Sequence, residues 1–168
     1  MLRTIEVAAL FHDVGKLAIP DQLLAKAGPL TPDEYEQVKR HAEIGADLLT
    51  GLSFPGPVSL LVRHHHENWD GTGYPDRRMG VDIPAGARAL AIADCYDALT
   101  SDRPYRRAMS HATAVAMMFE RRGSMFDPVM VELFLPIAES LRPVSTQLSP
   151  TVRQSAPHVQ APVEAGVR

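Results

Sequence analysis

Apolar residues recur along this chain at the three- and four-residue steps of a helix, and no sustained two-residue alternation interrupts them. The spacing predicts a helix over residues 2–11 that starts at the first residue without a cap, so the chain is expected to begin inside an element. Thr31-Pro32-Asp33-Glu34 announces the next helix: Thr31 caps, Pro32 fits the first helical position and Glu34 reaches back. Its inner stripe is Tyr35, Val38, Ala42, Gly45, Leu48 and Leu49, and Gly51 stops it. Further helices are expected over 57–67, with Val58, Leu61 and Val62 inward, over 86–99, over 110–122, and from Asp127-Pro128 onward, where Pro136 breaks or ends the last one. The 86–99 segment is apolar on nearly all sides, which marks a helix at the centre of a fold. A Gly- and Pro-rich loop, residues 70–76, precedes it. From about residue 141 Pro, Ser, Gln, Val and Ala follow without period, which predicts a disordered tail over 141–168 holding an inert His158. The expectation is an all-α domain over residues 1–140.

Composition narrows this picture. At 168 residues, 45% hydrophobic and 22% charged, the chain suits one globular domain with a real core. A net charge of −3 and a pI near 6.1 supply no basic field for long nucleic acid. Small anionic ligands need only a few local cations. Cys95 is the single cysteine, so a disulfide within the chain and a Cys-based zinc site are both excluded. It reads as a small core residue. No apolar stretch approaches the ~18 residues of a membrane span, no secretory signal is visible, and the default location is cytoplasmic.

The chemistry lies in the histidines, five of which fall between residues 12 and 66. His12 and Asp13 close an apolar stretch, where an unpaired carboxylate is costly and a metal ion would compensate it. His41 falls on the inner face of its helix. His65 and His66 straddle the inner edge of theirs, while His64 is expected to point further out. Asp94 sits inside the most apolar helix, where carboxylates are rare unless paired or metal-bound. Asp97, one turn on, joins the same site or a hydrogen-bond network. Taken singly, each has an ordinary explanation, such as a core histidine satisfied by a carbonyl. Jointly, several helices each offer nitrogen or oxygen ligands inward. Six residues exceed one four-coordinate ion and would serve two ions roughly 3.5–4 Å apart. Ligands without thiolate suit iron, manganese or zinc. Lys16 lies one turn from His12 and Asp13, and Arg103, Arg106 and Arg107 follow the Asp94 helix; such cations match phosphate oxygens.

His12-Asp13-Val14-Gly15-Lys16 resembles the HDxGK signature of HD-superfamily phosphohydrolases. His65-His66-Glu67-Asn68-Trp69-Asp70-Gly71-Thr72-Gly73-Tyr74-Pro75 resembles the HHExxxGxGYP signature of the HD-GYP subgroup, and the segments from Ala91 to Asp94 and from Leu99 to Arg106 are also similar. The resemblance covers about residues 2–135. It implies an HD-superfamily helical bundle around a multinuclear metal site. It implies hydrolysis of cyclic di-GMP to linear pGpG and GMP with two or three divalent ions, iron or manganese ahead of zinc. His12, Asp13, His41, His65, His66 and Asp94 would be the ligands, Asp13 bridging. Lys16 would hold a phosphate oxygen or assist the leaving group, and Arg103, Arg106 and Tyr74 would contact the ligand. The Gly73-Tyr74-Pro75 loop would shape the site mouth and meet diguanylate cyclase domains. The family also carries a His or Glu ligand on a helix well upstream. Only eleven residues precede His12, none a histidine, and Glu6 is too close to serve. The expectation is therefore a domain lacking its first helices. Two other readings stand beside catalysis: a catalytically impaired module that binds cyclic di-GMP or a cyclase, and an HD phosphohydrolase for another nucleotide.

Overall fold

The computed structural model describes residues 1–102 and 106–140, and these contain helices and turns but no strand. Eight α-helices follow in order: α1 (Leu2–Phe11), α2 (Asp21–Leu24), α3 (Pro32–Lys39), α4 (His41–Leu49), α5 (Val58–Arg63), α6 (Ala85–Thr100), α7 (His111–Glu120) and α8 (Pro128–Ser140). Short 3-10 turns cover Val14–Ala18 and Gly80–Asp82. No helix among the described residues is long and apolar enough to cross a membrane. The tail proposed for 141–168, and Arg103, lie outside the described residues.

The predicted caps form. Thr31 accepts from the Glu34 backbone N–H at 3.3 Å while Glu34 accepts from the Thr31 N–H at 2.7 Å, closing both orphan donors at the start of α3. Ser110 caps α7, and Asp127 accepts from the Val129 and Met130 N–H groups at the start of α8. Three boundaries differ from the sequence expectation. The single helix expected over 31–51 is two, divided at Arg40, and Leu48 lies outside the core. The helix expected to reach Glu67 stops at Arg63. Pro136 does not end α8, which runs on to Ser140. Its missing N–H would have bonded the Glu132 carbonyl, and both residues are exposed, so that carbonyl is not stranded in the core.

Two apolar clusters hold the bundle, and α6 belongs to both. Its first half gives Ala87 and Leu90 to a cluster with Ala8, Leu49, Val58, Leu61, Val62 and Ile83. Its second half gives Ile92, Cys95, Tyr96 and Leu99 to a cluster with Ala114, Met118, Phe126, Val131 and Ala138. A helix packed on both sides in this way needs the apolar girth that the sequence displays. Asp94 lies on the same helix, among the α6 residues of the second cluster in sequence, and its side chain lines the cavity described below.

One close approach fixes the turn after α1 against α4. A Cβ on Gly15 would stand 2.0 Å from the His41 carbonyl oxygen and 2.6 Å from the Gly45 nitrogen. Only glycine lets this backbone seat there, and that seating brings Asp13 toward His41.

Candidate metal centre

Helix ends build this site. An α-helix leaves its last carbonyls without internal partners. Here three such carbonyls each accept an N–H from a histidine just past the helix terminus. His12 Nδ1 donates to Ala9 at 2.8 Å at the end of α1, and His41 Nδ1 donates to Val38 at 2.7 Å at the end of α3. His65 Nδ1 donates to Val62 at 2.5 Å at the end of α5. A carbonyl only accepts, so each Nδ1 carries a hydrogen; the neutral rings of His41 and His65 then keep a lone pair on Nε2, and His12 gains one when its Nε2 gives up a proton. That is the tautomer in which imidazole ligates through Nε2, with its second nitrogen held by the protein.

The Nε2 atoms converge. His12 Nε2 lies 3.4 Å from Asp13 Oδ2 and 3.5 Å from Asp94 Oδ1. His41 Nε2 lies 3.6 Å from Asp13 Oδ1 and 3.2 Å from His66 Nε2. The rings of His12 and His41 stand edge-on to His65 at 5.3 and 5.4 Å, and His65 and His66 are 3.9 Å apart. Asp13, His41, His65 and His66 each offer one ligand atom within 4.8 Å of the others. His65 Nε2 is fully buried and makes no hydrogen bond among the described residues. A buried polar atom left so is costly, and a cation would satisfy it. The donor set therefore fits divalent metal ions held by imidazole and carboxylate, without thiolate.

Electrostatics point the same way. Burial pushes His65 down to about 4 and lowers His41, so both rings are neutral near pH 7. Burial opposes a charged His12, but its hydrogen-bonding contacts with Asp13 and Asp94 outweigh burial and push it up to about 10. Burial also works against an ionised Asp13 and Asp94. His12 nevertheless holds both well below the usual carboxylate range, helped at Asp13 by Lys16. The cradle thus gathers positive charge even from its own imidazole. The negative ends of three helix dipoles meet here as well.

The cavity above the cradle is about 320 Å³, and its lining includes Asp13, Lys16, Tyr74, Asp94 and Arg106. Lys16 Nζ is 2.6 Å from Asp13 Oδ2. Arg106 lines the wall, yet its guanidinium donates to the Leu99 and Ala98 carbonyls, which ties it to the end of α6. Asp97 accepts from the Ser101 hydroxyl at 3.1 Å and lies outside this lining. Glu6 is exposed and also outside it.

One of the histidines sits otherwise than the sequence suggested. His64 does not point outward. It is buried, with Nδ1 3.5 Å from Glu67 Oε1 and Nε2 3.8 Å from Asp76 Oδ2, because α5 ends at Arg63 and the chain turns there. Glu67 carried no expected role of its own. Its buried carboxylate accepts the N–H groups of Asp76 at 2.8 Å and Arg78 at 3.2 Å, so it latches the loop that follows the histidines. Gly73 makes that latch possible, since a Cβ there would stand 2.2 Å from the Asn68 nitrogen. The latched loop lays Tyr74 on His66, ring centres 4.9 Å apart. The repeated backbone turn signals in 70–76 were the clue that a nearby acceptor was needed.

A family model described as "HD domain" matches residues 1–130. A cyclic di-GMP phosphodiesterase response regulator of Xanthomonas campestris is 45% identical over 150 residues, covering 88% of this chain and 40% of the relative. A 3'3'-cGAMP-specific phosphodiesterase of Vibrio cholerae is 38% identical over 133 residues, covering 78% of this chain and 26% of that protein. Among solved structures, a cyclic GMP-AMP specific phosphodiesterase of V. cholerae has the same fold, with a TM-score of 0.63 at 20% identity over 84% of this chain and 39% of its own. The chain thus spans well under half the length of these relatives. It belongs to the HD domain family.

Proposed function

We propose that this domain is a metal-dependent phosphodiesterase that opens cyclic di-GMP to linear pGpG and onward to GMP. The observation that carries the reading is the convergence of His12, His41 and His65, each anchored through Nδ1, on Asp13 and Asp94, with His65 Nε2 making no hydrogen bond among the described residues. Names borne by relatives at 38–45% identity support the substrate class.

His12, Asp13, His41, His65, His66 and Asp94 would hold two or three ions, with Asp13, whose two oxygens face different histidines, best placed to bridge. Divalent ions bound there would polarise the phosphoryl group and make water acidic enough to attack at neutral pH. The chain's own groups do the rest. The anchored imidazoles keep a fixed orientation, so little reorganisation accompanies charge development. Lys16, paired with Asp13, lines the cavity, and its ammonium would hold a phosphate oxygen or give a proton to the leaving oxygen. Tyr74, buried on His66, shields that ring from water.

The test is turnover of cyclic di-GMP by the purified chain loaded with Mn²⁺ or Fe²⁺, resolved by chromatography. pGpG should accumulate with wild type and vanish with Asp13→Ala. A cyclic dinucleotide panel decides between cyclic di-GMP and 3'3'-cGAMP, since relatives carry both names. Tight binding without any product would leave the binding-module reading instead.

A further inference from the structure

Tyr35 was expected to be a core residue on the inner stripe of its helix, and it is not one. It keeps 36% of its surface exposed, and its side chain lines the wall of the metal cavity. Among the described residues no other aromatic ring packs on it; its ring instead faces an ammonium. Lys39 Nζ stands 5.3 Å from the Tyr35 ring centre and 5.5 Å from that of Tyr74. The same ammonium is 2.5 Å from Glu36 Oε1, which holds it at the cavity rim. Two phenol rings from separate segments, α3 and the loop after α5, thus turn toward one spot beside the metal ligands. Ring faces presented in this way attract cations and equally accept a flat π-system.

Nothing in the hydrolysis of a phosphodiester requires an aromatic face there. The cradle and Lys16 account for an anion. A cavity of about 320 Å³ is at the small end for ligand sites, so only part of a cyclic dinucleotide enters, one phosphodiester with the base beside it. That base needs a platform, and it has acceptors at its edge if it is guanine.

We propose that Tyr35 is a base-stacking residue: its ring takes one face of the purine adjoining the phosphodiester at the cradle, with the Lys39 ammonium at the acceptor edge of that base. The assignment rests on the phosphodiesterase reading and adds to it the side of the cavity that selects a purine dinucleotide over other phosphodiesters.

The experiment compares Tyr35→Phe, Tyr35→Leu and Tyr35→Ala with wild type in the metal-loaded chain, by calorimetric titration with cyclic di-GMP and, separately, with inorganic phosphate. Phosphate reaches the cradle but carries no base. Stacking on an aromatic side chain predicts that Tyr35→Ala and Tyr35→Leu weaken cyclic di-GMP about tenfold. Tyr35→Phe should stay within about twofold of wild type, and phosphate affinity and metal content should hold in all three. Leucine keeps apolar bulk without a flat face, so a leucine variant as tight as wild type would overturn the proposal. So would parallel losses for phosphate and dinucleotide, which would mean a damaged cradle. If wild type binds cyclic di-GMP but does not cleave it, the hydrolysis reading fails while the stacking comparison still decides. If it binds none, both fail.

Discussion

Among the described residues two clusters bring a histidine to a carboxylate and a tyrosine, and they are built to opposite ends. On the far side of α6, His111 donates or accepts through both nitrogens. Nδ1 is 2.9 Å from the Tyr96 hydroxyl and Nε2 is 2.8 Å from Glu139. That network is closed: α6, α7 and α8 are tied together and the ring has no capacity left. In the cradle, His12, His41 and His65 use one nitrogen on a helix end and turn the other inward. One histidine serves the outer network and four serve the cradle, and of the two it is the cradle that keeps ligating capacity. The ordinary reading of a core histidine, satisfied by a carbonyl, is correct for Nδ1 and silent about Nε2.

Removing one imidazole from each cluster should break them differently. His65→Ala should cost at least one metal ion per chain and lower phosphodiesterase turnover on the order of a hundredfold or more. His111→Ala should leave metal content and turnover within about twofold. Elemental analysis beside the turnover assay checks both. Equal metal loss in the two variants would erase the distinction.

The cradle also depends on a backbone contact that the outer network lacks. Gly15→Ala puts a methyl 2.0 Å from the His41 carbonyl oxygen, and backbone on both sides cannot yield easily. Overpacking of this kind typically costs about 1–3 kcal/mol, occasionally more. Thermal unfolding should show that loss at the upper end, and metal affinity should fall with it because His41 moves. A mild effect on both would mean that the 3-10 turn slides without disturbing the ligands.

How far the sequence reached can be seen residue by residue. His41 and Asp94 were readable because helical spacing places them on inward faces, and both line the cavity. His64 was misread because the 3.6-residue step was carried past Arg63, where the helix ends. Periodicity gives no warning of a terminus lacking Gly or Pro. The division at Arg40 was hidden for the same reason. Arg106 looked like a free phosphate cation, but its bonds to the Leu99 and Ala98 carbonyls depend on how the chain returns to α6, which composition does not encode. Glu67 was present in the motif without a role, since its partners are the N–H groups of Asp76 and Arg78, 9 and 11 residues on. Its test belongs to the cradle side of the comparison. Glu67→Gln keeps at most one of the two bonds, now neutral, and sets an NH2 donor against the other N–H, because Asp76 and Arg78 bond different oxygens; the loop that carries Tyr74 should loosen and turnover fall about tenfold with metal content retained.

A smaller effect comes from pH acting on the metal-free chain. His12 is raised from 6.5 to about 10, so its contribution is complete below pH 6.5 and disappears as pH climbs toward 10. His65 is lowered to about 4, so its contribution is complete above pH 6.5 and disappears as pH falls toward 4. The melting temperature of metal-free protein should therefore peak near pH 6.5. A metal ion held by His12 would have to displace its proton, so the loaded protein should gain stability, relative to the metal-free one, as pH rises above 6.5. Identical profiles with and without metal would mean that His12 is not at the ion.

The smallest expected effect lies in the closed network. Tyr96→Phe deletes a hydroxyl that lies 2.9 Å from His111 Nδ1 and donates to the Ala138 carbonyl at 3.4 Å. The ring itself stays packed against Phe134, centres 5.3 Å apart, so no cavity forms. His111 retains Glu139, and its side chain is 16% exposed, enough for water to reach Nδ1. The loss should therefore be one modest hydrogen bond, about 1 kcal/mol, read as a fall of about 3 °C in melting temperature. Tyr96 stands two residues from Asp94 on α6 but faces the opposite cluster, so metal content should not change. A Tyr96→Phe variant that lost metal would show that α6 transmits between the two histidine clusters, and the contrast between a closed network and an open cradle would have to be redrawn as one coupled system.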